Sequence, residues 1–344
     1  MADAQTKQVA SLPATARRTV DEDPPATVQM VRTDYGGQIA VHDFGGDPKL
    51  GHVVLLPANG FHGLCYKALA GHLRSQLHCY AIDAPDQGSS GPAPPDGNFY
   101  DHYITAVRAF LDHFALPGCH VFGHSSGGLT AAALELRAPG SFSSLYLYEP
   151  VLFAPLITDW YQKHGKGLEH PGAKLAVRRR VTFASKAAAL TNYARKPPFH
   201  YFRADVLLNY VQHGFAPTSG AHGSTDGTVS LRCSPQAESR VYNEAISISI
   251  DVWPHISSIR THTTVACGTD DPKNTFAEAE KNAPWLVEGI ALARLEKYSH
   301  VRHLGPMEDP AFIAGRLLKH IQASGDQARW QGLSRRQEVQ LSKL

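Results

Sequence analysis

No stretch of this sequence approaches the ~18 consecutive apolar residues that a membrane-crossing helix needs, so no membrane span is expected. The N-terminus has no apolar core of a secretory signal either. Excess charge of one sign is also missing. Lys and Arg number 33 against 31 for Asp and Glu, which argues against nucleic acid or another polyanion as partner. The densest basic run, KLAVRRR at 174–180, reads as a solvated helix face. Cysteine is scarce and odd in number: Cys65, Cys79, Cys119, Cys233 and Cys267, with no CxxC. That pattern fits reduced thiols in a cytoplasmic protein better than a disulfide framework. Although histidine is plentiful, neither HExxH nor a clustered ligand spacing occurs, so no metal and no cofactor is expected.

What is present is enough apolar sequence for a real core, 43% of residues against 19% charged. Residues 1–28 read as a disordered leader, with an organelle transit peptide as the alternative. From residue 29 short apolar, β-branched runs alternate with segments of helical period. TVQMVRT (27–33) and QIAVHDF (38–44) form a hairpin pattern around Gly36-Gly37, and HVVLLPA (52–58) has the continuous apolar character of a strand buried on both faces. HCYAIDAP (78–85), CHVFGHS (119–125) and SSLYLYEP (143–150) follow, separated by helical segments at 66–76, 99–115 and 127–137. The rhythm stops over 151–258 and resumes with HTTVACG (262–268), ARLEKYS (293–299) and a closing helix at 308–322. The expected fold class is α/β: a mostly parallel sheet of about eight strands with helices on both faces and right-handed crossovers. Its core covers 29–150 and 259–322, interrupted by an inserted helical lid at 151–258, and 323–344 is a peripheral helix or frayed tail.

The stretch HVFGHSSGGLTAA (120–132) sets two serines between glycines. A serine is a weak nucleophile unless a base takes its proton, and one way to expose it is a sharp strand-to-helix turn, where side chains two before and two after crowd the backbone. Ser125 has Gly123 and Gly127 at those positions, whereas Ser126 has His124 at the first of them. Ser125 is therefore the nucleophile candidate. Ser126 contributes its backbone N–H at the start of the helix, where the dipole favours developing negative charge. A second oxyanion donor is expected from LLPANGFHG (55–63), with Phe61 N–H the candidate and Asn59 and Gly60 shaping the loop.

An imidazole base comes from elsewhere in the chain. SHVRHLGPMEDP (299–310) follows the last strand and offers His303 in the loop, with His300 at the strand terminus as competitor. The carboxylate is expected in ACGTDDPKN (266–274), where Asp270 suits the turn and Asp271, beside Pro272, the acid.

In these motifs the sequence resembles the α/β-hydrolase superfamily, specifically its lid-bearing serine hydrolases of carboxylesterase type, over about 29–322. AIDAPDQGSSG (81–91) resembles the family's Asp-x-x-Gly-x-Gly-x-Ser stretch, with Asp83, Gly88 and Ser90 in place and Asp86 where glycine is usual. HLGPMEDP (303–310) resembles the catalytic-histidine loop and selects His303, while GTDDP (268–272) resembles the acid turn and favours Asp271. Asn59 stands where the oxyanion loop usually carries histidine. Glu149, in LYEP after the sixth strand, occupies a place where some members keep their acid, and is the alternative to Asp271. The resemblance implies a Ser-His-Asp triad and an acyl-enzyme, cleaving an ester or related acyl bond of a small, apolar substrate, in a monomer or homodimer. C–C bond hydrolysis, lactone hydrolysis and a receptor-like ligand-binding protein with vestigial turnover are the alternatives. The lid aromatics, among them Trp160, Tyr161, Phe183, Tyr193, Phe199, Tyr201, Phe202, Tyr210 and Phe215, read first as lid core.

Overall fold

The computed structural model describes residues 26–164, 170–218, 227–269 and 277–341. Its strands, in chain order, are β1 (Thr27–Arg32), β2 (Gln38–Gly45), β3 (His52–Leu56), β4 (His78–Ile82), β5 (Cys119–His124), β6 (Phe142–Tyr148), β7 (Thr182–Phe183), β8 (Phe215–Pro217), β9 (Val229–Leu231), β10 (His262–Gly268) and β11 (Ala293–Tyr298). Eight of them make one sheet in the order β1-β2-β4-β3-β5-β6-β10-β11, in which every pairing from β4 to β11 is parallel and β2 runs against its neighbours.

The continuous apolar run of β3 follows from its central position. Val54 and Leu56 face a layer containing Tyr103, Val107 and Phe110 from α2 (Phe99–His113) after α1 (Lys67–Leu73), together with Leu129 and Ala132 from α3 (Ser126–Arg137). Val53 and Leu55 face the opposite layer, where Leu69 and Leu73 of α1 pack beside Ile313, Leu317 and Ile321 of the closing helix. A strand covered on both sides has no solvent face and hence no polar alternation. The strand order reverses at β3, which leaves a crevice at the carboxyl ends of β3 and β5.

Between β6 and β10 the chain forms α4 (Pro155–His164), α5 (Pro171–Ala176), α6 (Lys186–Tyr193), α7 (Ala204–Gly214) and α8 (Pro235–Val252). Beside the expected helices the insertion also carries a second, three-stranded antiparallel sheet, β7-β9-β8, which the sequence reading did not place. Its strands are two or three residues long, too short to show an alternating pattern in sequence. After β10 come α9 (Ala277–Gly289), which the sequence reading left unassigned, then α10 (Gly305–Glu308) and α11 (Pro310–Leu341). Of the expected aromatics, Phe183, Tyr193, Phe202, Tyr210 and Phe215 are buried within the insertion. All five cysteines are buried and unpaired, and burial pushes their thiols up, Cys79 and Cys267 to about 12.

The loop after β4 is organised by Asp83, which is almost fully buried. Its Oδ1 accepts from His42 Nε2 at 2.8 Å and Gly63 N–H at 2.6 Å, and its Oδ2 accepts from Ser89 N–H at 2.7 Å. A Cβ on Gly88 would lie 2.1 Å from Asp83 Oδ2, so this position admits only glycine. Asp86, where the family usually has glycine, adopts a φ of 64°, the conformation a glycine would take without strain. Burial raises the Asp83 pKa, but the His42 ring and the hydrogen bonds overcome it and hold the carboxyl below its ordinary value. The stabilisation is therefore complete above the unfolded-state value of about 3.9 and lost as pH falls through the lower folded value. Replacing Asp83 by Ala strands two buried donors, on His42 and Gly63, and is expected to cost about 3–5 kcal/mol in denaturant unfolding at pH 7. The difference from wild type should shrink as the pH is lowered toward the folded value.

Candidate active site

Ser125 follows the last residue of β5 with φ 54° and ψ −112° and caps α3. A non-glycine residue there costs on the order of 1–3 kcal/mol and persists only if its surroundings fix it. They do so through the backbone. Ser125 N–H donates to Tyr148 O at 3.0 Å, while Ser125 O accepts from Gly128 N–H at 3.0 Å and Val151 N–H at 3.2 Å. A Cβ on Gly127 would stand 2.2 Å from Leu56 O, and one on Gly123 2.7 Å from Gly128 Cα. Both glycines are thus demanded by contact, and Gly128 is a third, because its Cβ would meet Pro150 Cβ at 2.8 Å. The Ser126 hydroxyl is turned away to Pro57 O at 3.3 Å. As the first residue of α3, Ser126 has an N–H with no acceptor inside the helix.

His303 lies in the loop between β11 and α10, and its Nδ1 is 2.6 Å from Glu149 Oε2. Glu149 is 2% exposed, sits just past β6 with φ 44°, and accepts from Gly268 N–H at 2.7 Å through its other oxygen. The carboxylate that meets the histidine is therefore Glu149, the alternative of the sequence reading. Asp271, the preferred acid there, lies outside the described residues. With Nδ1–H directed at a carboxylate, the neutral imidazole carries its lone pair on Nε2. The competitor His300 is on the surface, stacked edge-on against Phe312 and 3.8 Å from Asp309.

The position of the His303 backbone is set by a buried relay. Ala58 N–H donates to the Tyr66 hydroxyl at 2.9 Å, which in turn lies 2.7 Å from His124 Nδ1. His124 Nε2 lies 2.8 Å from His303 O. A carbonyl only accepts, so His124 carries its proton on Nε2 and accepts a hydrogen bond from the Tyr66 O–H at Nδ1. Burial, and then the proximity of His303, depress the His124 pKa well below the ordinary histidine value, so this ring stays neutral. The relay joins the loop after β3, the elbow and the histidine loop. Sequence reading placed His124 in the elbow; its partner Tyr66 carries no motif and was missed.

In the loop after β3, Phe61 lines the same cleft as Ser125, but its N–H closes a turn on Ala58 O at 3.1 Å. Gly60 takes φ 80° in that turn, with its N–H held by Gln87 Oε1 at 3.0 Å. Asn59, where histidine is usual, donates through Nδ2 to Glu238 O on α8 at 2.8 Å and accepts from Gln87 Nε2 at 3.2 Å. The loop is thereby tied to the insertion.

Ser125, Asn59, Tyr242 and His303 line two adjoining spaces. The first, a narrow pocket of about 30 Å³, is walled by Tyr100, Val151, Phe153, Val241 and Ala245, with Ser126 beside the serine. Its His170, stacked on Tyr242 with ring centroids 5.3 Å apart, is depressed by burial to about 4 and is neutral at pH 7. The second, a cleft of about 430 Å³ open to solvent, runs past Phe61, Tyr193 and Phe199 to Arg178, Arg179, Arg180 and Lys196. The end of the basic run read as a solvated helix face thus borders the site. Among the described residues no group of His, Cys, Asp or Glu is arranged to hold a metal ion, and no helix is long and apolar enough to cross a membrane.

Replacing Tyr66 by Phe removes the middle of the relay and leaves the Ala58 N–H and His124 Nδ1 buried without partners. Thermal or denaturant unfolding is expected to show a loss of about 1–3 kcal/mol.

The alpha/beta hydrolase family profile matches residues 53–316, which spans the sheet from β3 to β11, the elbow and the histidine loop. A curated relative, the dihydrolipoyllysine-residue acetyltransferase component of an acetoin cleaving system from Cupriavidus necator, is 35% identical over 81 residues, 24% of this chain and 21% of its own. The chain thus spans only about a fifth of the length of that relative. Among solved structures, E-2-(acetamidomethylene)succinate hydrolase superposes with a TM-score of 0.67 at 15% identity, covering 87% of this chain and 100% of that one. The thioesterase domain from the curacin biosynthetic pathway gives 0.66 at 16%, covering 86% and 99%. At such identities these likenesses speak for the fold, and the family match over most of the length decides membership: the chain belongs to the alpha/beta hydrolase family.

Proposed function

We propose that the protein is a serine hydrolase that cleaves an ester or thioester through Ser125, His303 and Glu149. The observation that carries this reading is the buried Glu149–His303 contact at the wall of the cavity onto which the strained Ser125 opens. His303 Nε2 takes the Ser125 proton as Oγ attacks the substrate carbonyl. Glu149 keeps the imidazole in that tautomer and stabilises the imidazolium that forms. The oxyanion meets the Ser126 N–H at the start of α3, and shares the Phe61 N–H with Ala58 O in a three-centre bond. Each donor is worth about 2.7–4 kcal/mol of transition-state stabilisation. His303 then protonates the leaving alkoxide or thiolate, and water activated by the same base releases the acid. Two of the solved neighbours, a hydrolase and a thioesterase, agree with acyl chemistry on this fold.

Covalent labelling by a fluorophosphonate, located by mass spectrometry, is expected at Ser125 and at neither Ser126 nor another serine. Ser125→Ala should abolish hydrolysis of short 4-nitrophenyl esters, whereas Ser126→Ala should keep most of it, since only the backbone of Ser126 is used. Equal loss in the two variants overturns the assignment. Glu149→Gln should lower kcat by about four orders of magnitude through the wrong tautomer. Asp271→Asn should leave kcat within a few fold, and the reverse order would return the acid role to Asp271.

A further inference from the structure

The two spaces on either side of Ser125 differ in chemistry more than a general esterase requires. The pocket beside Ser126 presents Tyr100, Val151, Phe153, Val241, Tyr242 and Ala245, with no charged side chain and, beyond the serines, His303 and the two tyrosine hydroxyls, only the neutral His170 and Asn59 as polar groups. The cleft beyond Phe61 presents four cations, Arg178, Arg179, Arg180 and Lys196, against a single carboxylate, Glu238.

One of those cations is already matched. Arg179 is held by Glu238, by the Tyr210 hydroxyl and by Tyr193 Oη at 3.2 Å, and this arrangement braces Gly60 from the side. The other three are not neutralised. Arg178 and Lys196 are exposed, and among the described residues neither side chain enters a hydrogen bond or an ion pair. Arg180 lies over the Phe183 ring at 4.4 Å and donates Nε–H to Thr182 O, which satisfies part of its fork and leaves its charge unpaired. Three unmatched positive charges around one cleft repel each other, and an anion placed among them is attracted by all three.

Resting on the serine-hydrolase reading, we propose that the substrates carry an apolar acyl group and, on the alcohol or thiol that leaves, an anionic group, carboxylate or phosphate, held by Arg178, Arg180 and Lys196. The direction follows from the order of product release. The acyl group stays on Ser125 until water arrives, which suits the apolar pocket. The leaving group departs first, protonated by His303, and needs the route that opens to solvent past exposed Leu175 and Lys196.

Three aryl esters that share a butyryl group test this: 4-butyryloxybenzoate, 4-butyryloxyphenyl phosphate and the neutral 4-butyryloxybenzamide. The measured quantity is kcat/KM for each charged ester divided by that for the amide. Dividing the wild-type ratio by the variant ratio cancels the differing reactivity of the phenols. In Arg178→Gln/Lys196→Gln, which removes two charges without removing a structural contact, the ratio is expected to fall about fivefold to tenfold. Charge reversal, Arg178→Glu/Lys196→Glu, should push it lower still. Raising the salt from 0.05 to 1 M, which shortens the screening length to about 3 Å, should lower the wild-type ratio and leave little dependence in the variants. A larger fall for one of the two charged esters identifies which anion the cleft prefers. Hydrolysis of all three esters with a ratio that neither variant nor salt alters overturns the anionic leaving group. No hydrolysis of any ester together with no fluorophosphonate label on Ser125 overturns instead the hydrolase reading on which it rests.

Discussion

A carboxylate that is nearly all buried has to find donors, and Glu149 finds two: Gly268 N–H on one oxygen and His303 Nδ1 on the other. Each comes from a different strand end, so the acid fastens the carboxyl edges of β6, β10 and β11 together. The approach is possible because of what is absent there. A Cβ on Gly268 would lie 2.3 Å from Val301 O, and one on Gly305 2.3 Å from the Tyr148 hydroxyl, which itself donates to Arg302 O at 2.7 Å. The histidine loop is pressed against the sheet on both sides of His303, and the imidazole has little freedom to be elsewhere.

The insertion is part of this arrangement rather than an ornament on it. It leaves the sheet at Val151, whose N–H binds Ser125 O, immediately after the acid. It returns to the site through α8, where Glu238 holds Asn59 by its backbone carbonyl and Arg179 by its side chain. The loop after β3 is therefore braced from the core by Tyr66 and Gln87 and from the insertion by α8. Shifting α8 moves Asn59 and the turn closed by Phe61, so the insertion can influence chemistry without supplying a reacting group.

The fold was legible in the sequence wherever burial was two-sided. HVVLLPA and HTTVACG read as strands because a parallel sheet covered by helices leaves no polar face. Ser125 was legible for a steric reason, since the glycine spacing distinguishes it from Ser126. His303 needed the family pattern to separate it from His300. The acid was the hard choice: GTDDP and LYEP each end a strand with a carboxylate, and only the path of the histidine loop shows that Glu149 meets the ring. The Phe61 N–H could not be judged either, because whether a backbone donor is spent on its own turn depends on backbone angles that composition does not fix. The arginines at 178–180 read as part of a helix face, but they lie just past the end of α5, and the packing of α5 against α8 brings them to the cleft.

The five thiols have a practical consequence. Each is buried, unpaired and held in its protonated form by burial, so an alkylating reagent meets no thiolate in the folded protein. Cys65, Cys79, Cys119 and Cys267 lie in the sheet and its flanking loop, while Cys233 lies in the insertion just before α8. The rate at which Cys233 is modified, set beside that of the other four, is therefore a built-in clock for whether the insertion parts from the sheet before the sheet itself comes apart.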